Sequence, residues 1–249
     1  MIDTHTHLDA LDEDAAQVVA RARNAGVTRI LTVGTDVAGS RRALEYADAF
    51  DEVYAIIGIH PHAANDATNE DVAEIRELLA HPKAVGAGEM GLDWFRDYAP
   101  REKQIRLFDS MLAVAAETGK PAVIHTRAAD DDTLAALREF DGRVVLHCFS
   151  SPHLLPTALE RRWYVSFAGN VTFPKAVDLR LAAREVPADL ILAETDAPYL
   201  APQAVRGKRN EPAYVMHTLA GLADARNQDP AELAAQIDAN AKACFDLPE

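Results

Sequence analysis

Eight short apolar runs alternate with longer amphipathic segments along this chain of 249 residues, and this alternation limits the possible folds more than any other feature. The runs cover residues 2–6, 29–33, 53–59, 84–88, 122–125, 144–147, 164–167 and 190–193. Helical patterns cover residues 14–24, 40–49, 69–80, 100–118, 130–139, 176–184, 212–224 and 230–245. Runs this apolar cannot leave one face of a sheet in water, so the pattern predicts a buried parallel sheet of the α/β class.

The number of strand–helix units favours a closed (β/α)8 TIM barrel, a fold of roughly 250 residues. An open, doubly wound sheet is the alternative, but no Gly-x-Gly-x-x-Gly turn follows the first run to support it. The sequence has no linker, low-complexity segment or internal repeat, so we expect a single domain over residues 1–249.

Charge and cysteine content restrict the partners and the compartment. The net charge of −14 repels polyanions unless local cations or metal ions offset it. Cys148 and Cys244 make no disulfide framework and fit a reducing cytosol. The chain passes from Met1 straight into an apolar run, without a signal-peptide pattern, and no run approaches the roughly 20 residues of a membrane span. We therefore expect a cytoplasmic protein that contacts no membrane and needs no obligate protein partner.

Histidines and acids gather where the predicted strands end. His5 and His7 lie on one face of the first strand, where two imidazoles can bind one metal ion, although two half-exposed polar residues are the alternative. The other residues at strand ends are His60, His62, Glu89, His125, His147 and Asp196. In a (β/α)8 barrel the carboxyl ends of all strands meet at one face, where active sites form. The remaining histidines, His81, His153 and His217, are interpreted as surface or packing residues.

Six of these residues predict a metal centre: His5, His7, Glu89, His125, His147 and Asp196. They are too many for one tetrahedral zinc with an open position and suit two ions about 3.5–4 Å apart. Such ions share an anionic bridge, and we expect Glu89 in that role because Lys83 lies at the wrong end of its strand. One ion then takes His5, His7, Glu89 and Asp196, and the other takes Glu89, His125 and His147.

Several motifs, in this order along the chain, resemble the TatD family of metal-dependent deoxyribonucleases, within the amidohydrolase-like barrels. They are Asp3-Thr4-His5-Thr6-His7, Gly58-Ile59-His60-Pro61-His62, Gly88-Glu89-Met90-Gly91-Leu92-Asp93, Ile124-His125-Thr126-Arg127, Leu146-His147-Cys148-Phe149-Ser150, Glu194-Thr195-Asp196-Ala197-Pro198-Tyr199-Leu200 and Arg206-Gly207-Lys208-Arg209-Asn210-Glu211-Pro212. The resemblance implies a distorted TIM-type barrel, divalent metals and hydrolysis of DNA phosphodiesters from the 3′ end. Ser151 replaces the glycine usual in the family, and the closing segment 240–245 is altered.

Two acids are candidates for catalysis by metal-activated water. Asp196 can orient the attacking water and accept its proton, with a helix N-cap as the alternative because Ala197 and Pro198 follow it. Glu89 is the second candidate, through its bridging position. Asp3 and Glu194 share a strand face with His5 and Asp196 and either fix an imidazole or are buried, salt-bridged barrel residues.

Substrate contacts are predicted from loop residues at the same strand ends: His62, Arg127, Arg206, Lys208 and Arg209. His60 and His62 either bind a phosphate or cap their loop, and His60 stays outside the predicted ligand set. Trp94 and Phe95 either stack a nucleobase or pack within their loop. With so acidic a chain, we expect weak, end-directed binding to DNA, preferably single-stranded.

Other activities and other metals stay open at this point. The same barrel and ions serve small-molecule amidohydrolases and phosphoesterases, and a non-catalytic metal-binding protein is a further alternative. Four histidine ligands suit Zn, Mn or Fe, whereas magnesium, with which the resembled family is associated, prefers oxygen ligands. We therefore expect two divalent ions, Mg, Mn or Zn.

Overall fold

The computed structural model describes residues 1–96 and 98–248, and all eight apolar runs form β-strands in it. The strands are β1 (Ile2–Thr6), β2 (Arg29–Val33), β3 (Val53–Ile57), β4 (Ala84–Asp93), β5 (Ala122–Arg127), β6 (Val144–Leu146), β7 (Tyr164–Phe167) and β8 (Ile191–Ala193). Their order in the sheet is their order in the chain, and a parallel bridge joins Thr6 of β1 to Ala197 just after β8. This is the strand order of a (β/α)8 barrel, as predicted.

Helices connect the strands, and all of them except α6 follow the predicted amphipathic segments. They are α1 (Ala15–Asn24), α2 (Val37–Ala49), α3 (Asn69–Leu78), α4 (Arg101–Thr118), α5 (Asp130–Ala136), α6 (Leu155–Glu160), α7 (Val177–Glu185), α8 (Val215–Arg226) and α9 (Pro230–Phe245). Side chains cap several of them, because the first N–H groups of a helix have no partner within it. Asp14 accepts a hydrogen bond from Ala16 N, and Thr68 forms a capping box with Asp71. Among the described residues, no helix is both long enough and apolar enough to cross a membrane.

The chain divides into two compact units, and the prediction of a single domain stays a prediction. One unit comprises Met1–Thr32 and His147–Glu249, and the other comprises Val33–Leu146. In the first unit, Ile2 and Phe167 are fully buried, and Ile2 N donates a 2.6 Å hydrogen bond to Asp238 of α9. In the second unit, Phe108 of α4 and Met90 of β4 belong to the buried core.

Strand β4 is longer than predicted, which corrects the position of Glu89. The apolar run ends at residue 88, but pairing with β5 continues to Asp93, opposite Arg127, so Glu89 lies within the strand rather than at its end. The sequence signal stops because glycines and acids have low strand propensity. Gly91 permits the close approach of β4 to β5. Its φ is +141°, and a Cβ there would lie 2.0 Å from the carbonyl oxygen of His125.

Candidate metal centre

Each of the two units contains one group of histidine and carboxylate side chains with the spacing of a metal site. His5, His7 and Asp196 form one group, and His60, Glu89 and His125 form the other. Within each group, the candidate ligand atoms all lie within 4.8 Å of one another. We call these the His5 cluster and the His60 cluster.

The His5 cluster is formed where β1 meets the segment after β8. Asp196 N donates to His5 O at 2.9 Å, and His7 N donates to Ala197 O at 2.8 Å. These backbone bonds bring His7 Nε2 to 3.5 Å from Asp196 Oδ1. Asp196 has a φ of +54°, in the left-handed region that aspartate tolerates better than most residues. A strained backbone of this kind is typical of functional sites.

His147, the first residue after β6, lies against the His5 cluster. Its ring stacks on that of His5 with centroids 3.9 Å apart. Glu194, which is fully buried, holds the ring: its Oε1 lies 3.2 Å from His147 Nδ1 and accepts a 2.7 Å hydrogen bond from Cys148 N. Ser166 Oγ donates to the other carboxylate oxygen at 2.5 Å. Glu194 therefore fixes the imidazole of His147, which is the first of its two predicted roles.

Asp3 is fully buried and supports the backbone through hydrogen bonds with Thr195. It accepts hydrogen bonds from Thr195 N at 2.8 Å and from Thr195 Oγ1 at 2.6 Å. Burial raises the pKa of Asp3 to about 8, against the lowering effect of these hydrogen bonds. Asp3 therefore positions the segment that leads to Asp196.

Asp196 is held as an anion. Burial by itself would raise the pKa of this carboxyl group, but the hydrogen bond with His7 and the charges of His147, His7 and His5 outweigh it. The pKa of Asp196 therefore lies below its ordinary value, and the ionised carboxylate is available as a ligand for a cation.

The His60 cluster comes from β4, β5 and the turn after β3. Glu89 Oε1 lies 2.7 Å from His125 Nδ1 and 3.3 Å from His60 Nε2. His60 Nδ1 accepts a 3.0 Å hydrogen bond from His62 N, which leaves Nε2 as the nitrogen that faces Glu89. Burial lowers the pKa of His60 to about 4, although Glu89 acts in the opposite direction. His60 is therefore a neutral imidazole at pH 7 with its proton on Nε2, so binding a metal ion through Nε2 requires the other tautomer.

Asp93 joins this cluster to the loop that follows β4. Its Oδ2 lies 2.9 Å from His62 Nε2 and 3.2 Å from His125 Nε2. Its Oδ1 accepts hydrogen bonds from the backbone N–H groups of Phe95 and Arg96, at 2.9 and 2.8 Å. Burial would raise the pKa of Asp93, but the hydrogen bonds from His125, Arg96 N and His62 hold it well below its usual range. Asp93 thus orients both histidines and the loop.

The predicted ligands are divided between the two units. His5, His7, His147 and Asp196 belong to the first unit, and Glu89 and His125 belong to the second. His60, which was not among the predicted ligands, lies with Glu89 and His125 in the second unit. A signal for it was present, since His60 and His62 repeat the spacing of His5 and His7 after another strand. The bridging role of Glu89, and an ion shared by His125 and His147, stay predictions.

The predicted cationic residues differ in how they are bound. Arg209 pairs with Asp12 and the carbonyl of Ala10. Arg206 covers the ring of Phe173, with its guanidinium carbon 4.0 Å from the centroid, and Lys208 is exposed. Asn210, which is buried, donates 2.7 and 2.5 Å hydrogen bonds to the carbonyls of Thr195 and Tyr199 and so organises this loop. A role of these cationic residues in substrate binding stays a prediction.

The donor chemistry of both clusters fits a divalent cation. Each offers two imidazole nitrogens and one carboxylate within a few ångströms, the mixed set that Zn, Mn and Fe accept. Their carboxylates are ionised or hydrogen-bonded to imidazole, which favours positive charge between the donors. The residues present are therefore suited to binding metal.

Comparison with known proteins agrees with this chemistry. Residues 2–246 match the family described as TatD related DNase. The chain is 40% identical over 251 residues to the uncharacterized metal-dependent hydrolase YabD of Bacillus subtilis (strain 168), covering 98% of each protein. It is 36% identical over 244 residues to a protein of Edwardsiella piscicida named 3'-5' ssDNA/RNA exonuclease TatD, covering 94% of each.

A solved structure extends the likeness to the fold. The crystal structure of YjjV, a TatD homologue from Escherichia coli K12, superposes with a TM-score of 0.93 at 28% sequence identity. The match covers 100% of this chain and 98% of YjjV. Together with the sheet order, it confirms the predicted fold class. The family match and these relatives show that the chain belongs to the TatD family of metal-dependent hydrolases.

Proposed function

We propose that this protein is a divalent-metal-dependent exonuclease that removes nucleotides from the 3′ end of single-stranded DNA. The presence of one histidine–carboxylate cluster in each unit is the observation that carries the proposal, because hydrolysis of a phosphodiester commonly uses two metal ions. The name of the Edwardsiella piscicida relative, a 3'-5' ssDNA/RNA exonuclease, supports the choice of substrate.

In this proposal each cluster binds one ion. His5, His7 and Asp196 hold the first, and His60, Glu89 and His125 hold the second. The histidine content favours Mn or Zn over Mg as the resident ion. Bound ions of this kind lower the pKa of water and neutralise charge on phosphate oxygens.

The protein's own side chains supply orientation and proton transfer. Asp196, anionic and bound to His7, orients the attacking water and accepts its proton at a carboxylate oxygen. Glu194 and Asp93 keep the imidazoles of His147 and His125 in place during turnover. Arg127 and Lys208, both exposed, contact the phosphates of a strand that binds weakly to so acidic a protein.

The test uses end-labelled single- and double-stranded DNA with Mg²⁺, Mn²⁺ or Zn²⁺, and wild type is compared with Glu89→Gln. We expect stepwise shortening of the single strand from its 3′ end by wild type and none by the variant. Glu185→Gln is the matched control, since Glu185 is an exposed residue of α7 and its substitution should leave the rate unchanged.

Parallel assays with amides and lactones separate the alternative activity. Turnover of these compounds without cleavage of any DNA would replace the proposal with a small-molecule hydrolase. Absence of turnover on every substrate in a metal-loaded, folded protein would favour a metal-binding role without catalysis.

A further inference from the structure

Two aromatic rings lie exposed in the loop that follows β4, next to the His60 cluster. Phe95 is 62% exposed and Tyr98 is 60% exposed. A third aromatic residue of the loop, Trp94, is bound within the protein: its Nε1 donates a 2.8 Å hydrogen bond to Asp132, and Arg101 covers its ring. Contacts with α4 and α5 therefore account for Trp94, whereas the rings of Phe95 and Tyr98 are mostly exposed.

The ring of Phe95 forms a stack with a guanidinium group. The guanidinium carbon of Arg127 lies 3.9 Å from the ring centroid, which is within cation–π distance. The guanidinium of Arg96 lies 5.7 Å from the ring of Phe95 and 5.9 Å from that of Tyr98. Exposed aromatic surface and exposed positive charge thus occupy the same small area.

The stack is held by paired strands. Arg127 is opposite Asp93 in the register of β4 and β5, and its carbonyl accepts a 2.9 Å hydrogen bond from Trp94 N. Phe95 N donates to Asp93 Oδ1 at 2.9 Å. The backbones of both residues are therefore held before any ligand arrives, which lowers the entropic cost of binding.

The same loop touches His62, whose ring lies next to that of His60. The ring of Tyr98 meets that of His62 edge-on, with centroids 4.7 Å apart. His62 and His125 both contact Asp93, the residue that also holds Phe95 and Arg96. The carboxylate of Asp93 thus links the backbone of Phe95 to His125, a candidate metal ligand.

We propose that Phe95, Arg127, Arg96 and Tyr98 form a stacking site for an unpaired nucleobase, with the two arginines contacting the adjoining phosphate. Planar bases stack on aromatic rings regardless of sequence, and arginine adds both charge and a planar face. Bases in a duplex are already stacked and paired, so this site selects a single strand. The inference rests on the proposed nuclease function and adds to it the group by which the substrate is recognised.

The experiment measures fluorescence anisotropy of labelled eight-nucleotide strands with the metal-loaded protein. Phosphorothioate linkages keep the strands intact, and thymidine strands are compared with abasic strands of the same length and charge. We expect wild type to bind the thymidine strand about tenfold more tightly, the size typical of one stacked base. Phe95→Leu should bring this ratio close to one, and Phe95→Trp should retain it.

Ile105→Ala is the matched control, because Ile105 is an exposed apolar residue of α4 in the same unit, and the ratio should not change. Phe95 is mostly exposed, so thermal unfolding of Phe95→Leu should match that of wild type. An unchanged ratio in Phe95→Leu would overturn the stacking site, as would tighter binding of wild type to a duplex than to the thymidine strand.

Cleavage of the corresponding phosphodiester strands, followed in parallel, separates the two proposals. Base-dependent binding that needs Phe95, without cleavage by wild type, would remove the nuclease function and leave the stacking site. Cleavage by wild type, together with a thymidine-to-abasic binding ratio that is the same in Phe95→Leu, would overturn the stacking site and leave the nuclease function. Binding of neither strand would overturn both.

Discussion

The two metal-type clusters differ in how tightly their histidines are bound to carboxylates. In the His60 cluster, His125 lies between Glu89 at 2.7 Å and Asp93 at 3.2 Å, so each ring nitrogen faces an acid. In the His5 cluster, His7 is 3.5 Å from Asp196, and His147, whose ring stacks on that of His5, is 3.2 Å from Glu194.

This difference predicts different metal affinities. A metal ion must displace any proton shared between an imidazole and a carboxylate, so its affinity falls as the pH falls. The short contacts of His125 make that competition stronger in the His60 cluster. We therefore expect the His5 cluster to bind its ion more tightly and with less dependence on pH.

The largest effects are expected from the acids that belong to the clusters themselves. Asp196→Asn and Glu89→Gln should each lower kcat by about 10³-fold or more, because each removes a negative ligand and Asp196 also accepts a proton. Both substitutions preserve side-chain shape, so circular dichroism should show a folded protein. A folded Asp196→Asn variant with retained turnover would contradict the role given to that residue.

Removing one histidine from each cluster tests the comparison directly. His60→Gln should lose one bound Mn²⁺ and keep the other, and His7→Gln should do the same from the opposite cluster. The ion that remains in His60→Gln should be retained to lower pH than the ion that remains in His7→Gln. Elemental analysis after dialysis at several pH values measures both. A His60→Gln variant with full metal content would place the second ion elsewhere.

Smaller effects are expected from the acids that hydrogen-bond to the histidine rings, Asp93 to His125 and Glu194 to His147. Asp93→Asn and Glu194→Gln should each weaken metal binding by roughly 10–100-fold, the usual range for such residues. Only Asp93 also holds the backbone of Phe95 and Arg96. Asp93→Asn should therefore weaken binding of a single strand as well, whereas Glu194→Gln should not. Equal effects of both variants on strand binding would show that Asp93 does not organise the loop.

The smallest effects concern the pH dependence of stability of the metal-free protein. Asp3 in the first unit and His60 in the second change this stability in opposite directions as the pH rises. Asp3 has a folded-state pKa of about 8, above its unfolded value, so its contribution is present below about pH 4 and is lost as pH rises through 8. His60 has a folded-state pKa of about 4, below its unfolded value, so its contribution is present above about pH 6.5 and is lost as pH falls towards 4.

Urea unfolding of protein treated with a chelator measures both contributions. The midpoint of Asp3→Asn should fall less than that of wild type between pH 5 and 8.5. The midpoint of His60→Gln should fall less than that of wild type between pH 6.5 and 4.5. Parallel pH curves for variant and wild type would show that these groups titrate alike in the folded and unfolded states.

The local sequence pattern was sufficient to predict the strands and most of the candidate metal-donor residues. All eight runs are strands, and residues within or shortly after β1, β3, β4, β5 and β8 supply both clusters. The end of β4 could not be read locally, because Glu89–Asp93 is held in the strand by pairing with β5 rather than by apolar character. His60 was missed because its nearness to Glu89 depends on side-chain direction in a turn. The pairing of Arg209 with Asp12 joins residues 197 positions apart, a contact that no local pattern reveals.

The most direct test of the two-ion account is a titration of the metal-free protein with Mn²⁺, with bound ions and cleavage of single-stranded DNA measured in the same samples. We predict little cleavage up to one bound ion per chain and a rise to the full rate between one and two. Full activity with a single bound ion, or cleavage that persists in the presence of a chelator, would contradict the account.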